Sequence, residues 1–77
     1  MSKKQLIRER FAKDLSKMGI RIRKIREKQN ISQEKLAIYA GVPYSSVNEI
    51  EAGKTNPTAA TLMALAEALN VEVKEFF

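Results

Sequence analysis

Residues 32–53 read SQEKLAIYAGVPYSSVNEIEAG, and this stretch decides the fold. Leu36, Ala37 and Ala40 make an apolar stripe at helical spacing, and Ser32 stands ahead of them as an N-cap whose hydroxyl can take a first-turn amide. Gln33 and Glu34 follow, the acid lying near the positive end of the helix dipole. Gly41 suits the left-handed residue that ends a helix. Val42, the one apolar residue of the turn, is placed to plug the angle between two helices. Pro43 is expected at the first position of the next helix, where a fixed φ is tolerated and the missing N–H is not needed. That helix runs from about Tyr44 to Ala52. At about 100° per residue, Val47, Ile50 and Glu51 fall on one side, while Ser45, Asn48, Glu49 and Ala52 point the other way. Tyr44 projects from the N-terminal end. Two short helices joined by a tight Gly-bearing turn are a helix-turn-helix.

Upstream, Met1 to Gln5 reads as a flexible basic arm carrying Lys3 and Lys4. From Leu6 the apolar residues Ile7, Phe11, Leu15, Met18, Ile22 and Ile25 recur in steps of three and four, the mark of one long amphipathic helix. Gly19 interrupts it at a cost of about 1 kcal/mol, so a kink or break is expected there. Asn30 is a fair stop. Downstream, Gly53 ends the helix from Tyr44, and Lys54-Thr55-Asn56-Pro57 is a loop. Thr58 caps a helix reaching Leu69, with Leu62, Leu65, Ala66 and Leu69 inward and Asn70 as its stop. Val71 to Phe77 reads as a short last helix. The expectation is an all-α fold: a compact domain of five helices over residues 6–77, with the helix-turn-helix formed by the second and third.

The chain has 77 residues, no cysteine, no histidine and a net charge of +5. Disulfides and the usual zinc and iron–sulfur ligand sets are therefore excluded, as is chemistry that needs a His or Cys base or nucleophile. The Glu residues fall on helix surfaces, nothing resembles a phosphate-cradling Gly loop, and no enzyme constellation stands out. Neither a metal nor another cofactor is expected. No apolar run approaches the roughly 18 residues of a membrane span, so a cytoplasmic location is expected. The charge is unevenly placed. Residues 1–30 hold 11 Lys/Arg against 3 acids, whereas residues 31–77 hold 3 Lys against 6 acids. A polyanionic partner fits the first part, yet the helix-turn-helix itself is not basic.

In a helix-turn-helix the second helix is the one that enters the DNA major groove. At this point the chain resembles the lambda-repressor and Cro class of helix-turn-helix domains found in phage and bacterial regulators. The likeness lies in SQEKLA, AGVPYSSVNEIEAGK, NPT and ALNVEVKEFF, and covers roughly residues 19–77. It implies a homodimer on a near-palindromic double-stranded operator, with the two recognition helices about one DNA turn apart. The activity implied is transcriptional regulation, with repression favoured over activation. A controller protein of a restriction–modification locus and an antitoxin-like protein-interaction module with secondary DNA binding are the alternatives.

The resemblance also implies roles for individual residues. Tyr44 and Ser45 match positions that read base edges, with Asn48 and Glu49 on the same face and Thr55 in the following loop. Gln33 matches a glutamine that touches phosphate and braces the recognition helix. Pro43, Lys54 and Asn56 fall where the backbone approaches, as do Lys3 and Lys4 of the arm. Arg26 and Glu51 match a pair that bridges the first helix to the end of the third, although Arg26 also stands where a phosphate could approach. Val71, Val73, Phe76 and Phe77 match the dimer interface, Phe76 on its core side and Phe77 nearer the partner. Two departures stand out. Pro43 replaces the usual Ser or Thr cap, and Glu49 puts an acid on the DNA-facing side. That acid either accepts from a cytosine N4 amine or is repelled by phosphate.

Overall fold

The computed structural model describes residues 3–77, with side chains from Leu6 onward. Five α-helices and one short 3-10 helix follow in order: α1 (Lys3–Arg10), α2 (Ala12–Lys28), α3 (Gln33–Ala40), α4 (Tyr44–Glu51), α5 (Ala59–Leu69) and the 3-10 helix Val73–Phe76. No strand occurs among the described residues. The all-α class holds, and α3 and α4 form the helix-turn-helix. The count of five is reached differently from expectation. The long first helix divides in two, and the last segment is 3-10.

The division falls at Phe11 (φ −110°, ψ 22°) and not at Gly19. α2 runs straight through Gly19 because the glycine serves packing. A Cβ there would lie 2.4 Å from the carbonyl oxygen of Ile50 and 2.6 Å from that of Glu51. The missing side chain lets the α2 backbone rest directly on the C-terminal turn of α4. α1, by contrast, buries little: Leu6, Ile7 and Phe11 are each about half exposed, and the Arg10 guanidinium lies over the Phe11 ring. Of the expected arm, Met1 and Ser2 lie outside the described residues. Lys3 to Gln5 form the first turn of α1.

The turn between α3 and α4 follows its sequence closely. Ser32 Oγ accepts from the Lys35 amide at 3.1 Å. Gly41 is left-handed at φ 70°, so that the Val42 amide reaches back to the Ala37 carbonyl at 3.1 Å. That bond satisfies a carbonyl the helix end would otherwise leave unpaired. Pro43 sits one position earlier than expected. Its ψ of 145° is extended, which makes it the N-cap residue of α4 and not the first helical one. Its carbonyl accepts the Ser46 amide at 3.0 Å, but its ring supplies no side-chain cap.

Met18 and Ile22 of α2, Leu36 and Ala37 of α3, Val47 and Ile50 of α4, and Leu62, Leu65, Ala66 and Leu69 of α5 make one core, closed by Phe76. Each fully buried Leu, Ile, Val or Phe side chain contributes about 1.5–3 kcal/mol. Ala37 is a small residue on the buried side of α3. Phe76 is entirely enclosed while Phe77 stays 67 % exposed. Phe76 is thus spent inside its own protomer, which removes it from the expected dimer interface. Gln29 Nε2 donates to the Leu69 carbonyl at 2.8 Å, tying the end of α2 to the end of α5.

Candidate nucleic-acid interface

α4 has a locked inner face and an open outer one. Val47, Ile50 and Glu51 are buried, whereas Tyr44, Ser45, Asn48, Glu49 and Ala52 are exposed. The division is the one its periodicity predicts. A carboxylate on the inner side needs a partner, and Arg26 provides it. Arg26 Nε donates to Glu51 Oε2 at 2.7 Å, and Nη2 donates to Oε1 at 2.9 Å. The third guanidinium nitrogen, Nη1, donates to the Ile31 carbonyl at 2.7 Å. The hydrogen bond to Glu51 raises the Arg26 pKa above its ordinary value; burial opposes that shift, and attraction to the Glu51 charge adds to it.

The Arg26–Glu51 bridge is present, and it holds the guanidinium that the resemblance also sets near a phosphate. The side chain is buried, and each of its three nitrogens already has an acceptor inside the protein. A two-point ion pair of this kind fixes geometry more than it adds stability, because taking both charges out of water costs much of what they gain.

Gln33 extends the network. Its Nε2 donates to Glu51 Oε1 at 3.0 Å, and its Oε1 accepts from Asn48 Nδ2 at 3.2 Å. The bracing expected of Gln33 is therefore present, and its side-chain polar atoms are engaged with α4. Asn48, chosen from the sequence only for its outward position, is tied back to α3. The sequence held a partial signal for this link: Gln33 opens α3 and the Asn48 face lies opposite, but nothing in the spacing paired them.

The loop after α4 lies beside α1. Arg8 Nη1 donates to the Lys54 carbonyl at 3.3 Å, a contact that sequence reasoning did not find. Lys54 and Asn56 are exposed and Thr55 is half-buried. The contacts expected of Lys3 and Lys4 fall on side chains outside the described range. Arg21, Arg23, Lys24 and Lys28 of α2 are exposed cations, and Arg23 lines a groove with Gln33, Asn48 and Glu51. Arg23 is paired with Glu27 at 3.2 Å, an exposed bond that solvent competes for. Among the described residues no group of three or more acidic, His or Cys side chains is arranged to hold a metal. Nor is any described helix long and apolar enough to cross a membrane.

With this geometry in view, the relationship to known proteins is direct. The family model described as Helix-turn-helix matches residues 22–76, and the chain belongs to that family, of the lambda-repressor-like type that its sequence resembles. The HTH-type transcriptional regulator PuuR of Escherichia coli is 34 % identical over 59 residues, covering 77 % of this chain and 32 % of that protein. The HTH-type transcriptional repressor RghR of Bacillus subtilis is 36 % identical over 58 residues, covering 74 % of this chain and 43 % of RghR. This chain thus spans less than half the length of either relative. Among solved structures, the restriction-modification controller protein C.AhdI from Aeromonas hydrophila superposes with a TM-score of 0.81 at 39 % identity. The match covers 83 % of this chain and 97 % of that one.

Proposed function

We propose that this protein is a sequence-specific double-stranded DNA-binding transcriptional regulator that acts in the cytoplasm, represses, and binds a near-palindromic operator as a homodimer. The observation that carries the reading is the two-sided construction of α4. Its inner face is immobilised by Val47, Ile50 and the Arg26–Glu51 pair, while Tyr44, Ser45, Asn48 and Glu49 stand outward on a rigid frame. A recognition helix needs that combination, since base edges are read by side chains whose positions are set beforehand.

In this mechanism α4 enters the major groove. The first-turn amides of α3 and the Lys54–Asn56 loop meet phosphates on either side, and Pro43 borders one of them. Exposed cations of α2, together with Lys3 and Lys4, add attraction that carries no sequence information. Phe77, with the half-buried Val71 and Val73, offers an apolar patch for the partner protomer. Selection of bound duplexes from a random pool, with sedimentation of the free and bound protein, tests the proposal. An enriched two-fold symmetric sequence bound by two chains is expected. A pool that stays random after selection removes the reading.

A narrower version has one specific support, the near-complete coverage of C.AhdI by this chain. In that version the regulated genes lie at a restriction–modification locus, and the protein's own promoter is among its targets. A reporter driven by the sequence upstream of its gene is expected to respond to the protein in trans, and an indifferent reporter rejects that version alone.

A further inference from the structure

Asn48 presents an outward amide whose orientation is dictated from within. Both Glu51 oxygens accept from the Arg26 guanidinium, at 2.7 and 2.9 Å. A carboxylate so engaged has no proton to offer. Gln33 must therefore turn its NH2 toward Glu51, and Nε2 lies 3.0 Å from Oε1. The Gln33 carbonyl is then left facing α4, and a carbonyl oxygen only accepts. Asn48 has to meet it with NH2, and Nδ2 lies 3.2 Å away. Because arginine only donates, each bond fixes the direction of the next.

We infer that the chain Arg26–Glu51–Gln33–Asn48 makes Asn48 a reader of adenine, with Gln33 as the residue that positions it. Gln33 consumes one of the two Nδ2 protons. Asn48 keeps its carbonyl Oδ1 and one Nδ2 proton for the outer face of α4, an acceptor beside a donor. In the major groove adenine offers the complement, an N6 donor next to the N7 acceptor. Guanine offers two acceptors there, thymine an acceptor and a methyl group, and cytosine a single donor. An asparagine freed from Gln33 can turn its NH2 outward and donate to guanine or thymine oxygens instead. The inference rests on the proposed entry of α4 into the major groove.

The test is competition binding by the full chain on its selected duplex, with each base pair placed in turn at every position. Wild type is compared with Asn48→Ala, Gln33→Ala and Gln33→Met. Gln33 is half-buried, and its removal leaves Glu51 still paired with Arg26, so both Gln33 variants are expected to fold, which circular dichroism verifies. Wild type is expected to prefer adenine at one position of each half-site by about fivefold or more, the range of a two-point side chain–base pair. Asn48→Ala abolishes that preference. Either Gln33 variant reduces it by about threefold or more, with guanine or thymine gaining at that position and the other positions unchanged.

Three results overturn the inference in distinguishable ways. If wild type selects no duplex, the proposed function falls and takes the inference with it. If a duplex is selected but no position responds to Asn48→Ala, the function stands and the adenine assignment falls. If the Gln33 variants weaken every duplex equally and keep the adenine preference, Gln33 holds phosphate and does not position Asn48.

Discussion

α2 and α4 handle charge in opposite ways. α2 carries Lys13, Lys17, Arg21, Arg23, Lys24, Arg26 and Lys28, and of these only Arg26 is buried. α4 carries no cation at all. Its two acids are Glu49, exposed, and Glu51, buried against Arg26. The helices meet where Gly19 lets their backbones touch. The exposed cations are many, and no single one is required by the fold. The buried pair is a single interaction whose partners depend on each other, and it sets the orientation of the face that would meet the bases. Long-range attraction and local geometry are thus carried by different charges, and it is the second kind that the fold depends on.

The sharpest way to break this comparison is to remove one buried charge. Arg26→Ala leaves Glu51 buried without its main partner and is expected to cost about 3–5 kcal/mol of folding stability in urea denaturation. Lys24→Ala, on the same helix, should stay within about 0.5 kcal/mol of wild type. Equal losses for the two variants would end the distinction. The double variant Arg26→Met, Glu51→Leu removes both charges and is expected to regain much of the loss, because two desolvation costs disappear together.

The contact between α2 and α4 comes next. Gly19→Ala places a methyl group on the Ile50 and Glu51 carbonyls and should cost about 1–3 kcal/mol, since backbone on both sides resists moving. A neutral or stabilising outcome, as expected of an ordinary glycine in a helix, would mean that the two helices are not held this close. Smaller effects belong to the helix ends. Ser32→Ala should cost about 1 kcal/mol, and Pro43→Ser should gain up to about 1 kcal/mol by giving α4 the side-chain cap it lacks. Thermal melts of the two variants read both changes, and a loss on Pro43→Ser would show that the fixed proline φ matters more than the cap.

The exposed cations are expected to affect stability least and salt dependence most. Replacing Lys24 and Lys28 together by Gln should leave the melt unchanged. It should reduce the slope of log affinity against log salt by about 0.9 for each phosphate that is no longer neutralised. An unaltered slope would place those side chains away from the DNA backbone.

Much of the fold was legible because its signals are local. Ser32, Gly41, Thr58 and Asn70 act within a turn of where they stand, and in the structure each caps or ends the helix expected of it. The two faces of α4 followed from helical periodicity alone. The family implied the bridge between Arg26 and Glu51, and the structure contains it. Glu49 is exposed as expected, and binding measurements on cytosine-substituted duplexes separate its two readings.

By itself, then, the sequence determined where helices begin and end and which side of each is apolar, because both depend on residues within one or two turns of each other. Tertiary structure decided the rest. Gly19 reads as a breaker until α4 is laid against it. Phe76 and Phe77 are adjacent and identical in type, and the docking of the last turn encloses one and leaves the other in solvent, as their expected sides implied. Arg26 and Glu51 stand 25 residues apart, and Gln33 and Asn48 stand 15 apart. Which donor meets which acceptor over such separations is set by how the helices pack, and no periodicity along the chain encodes it.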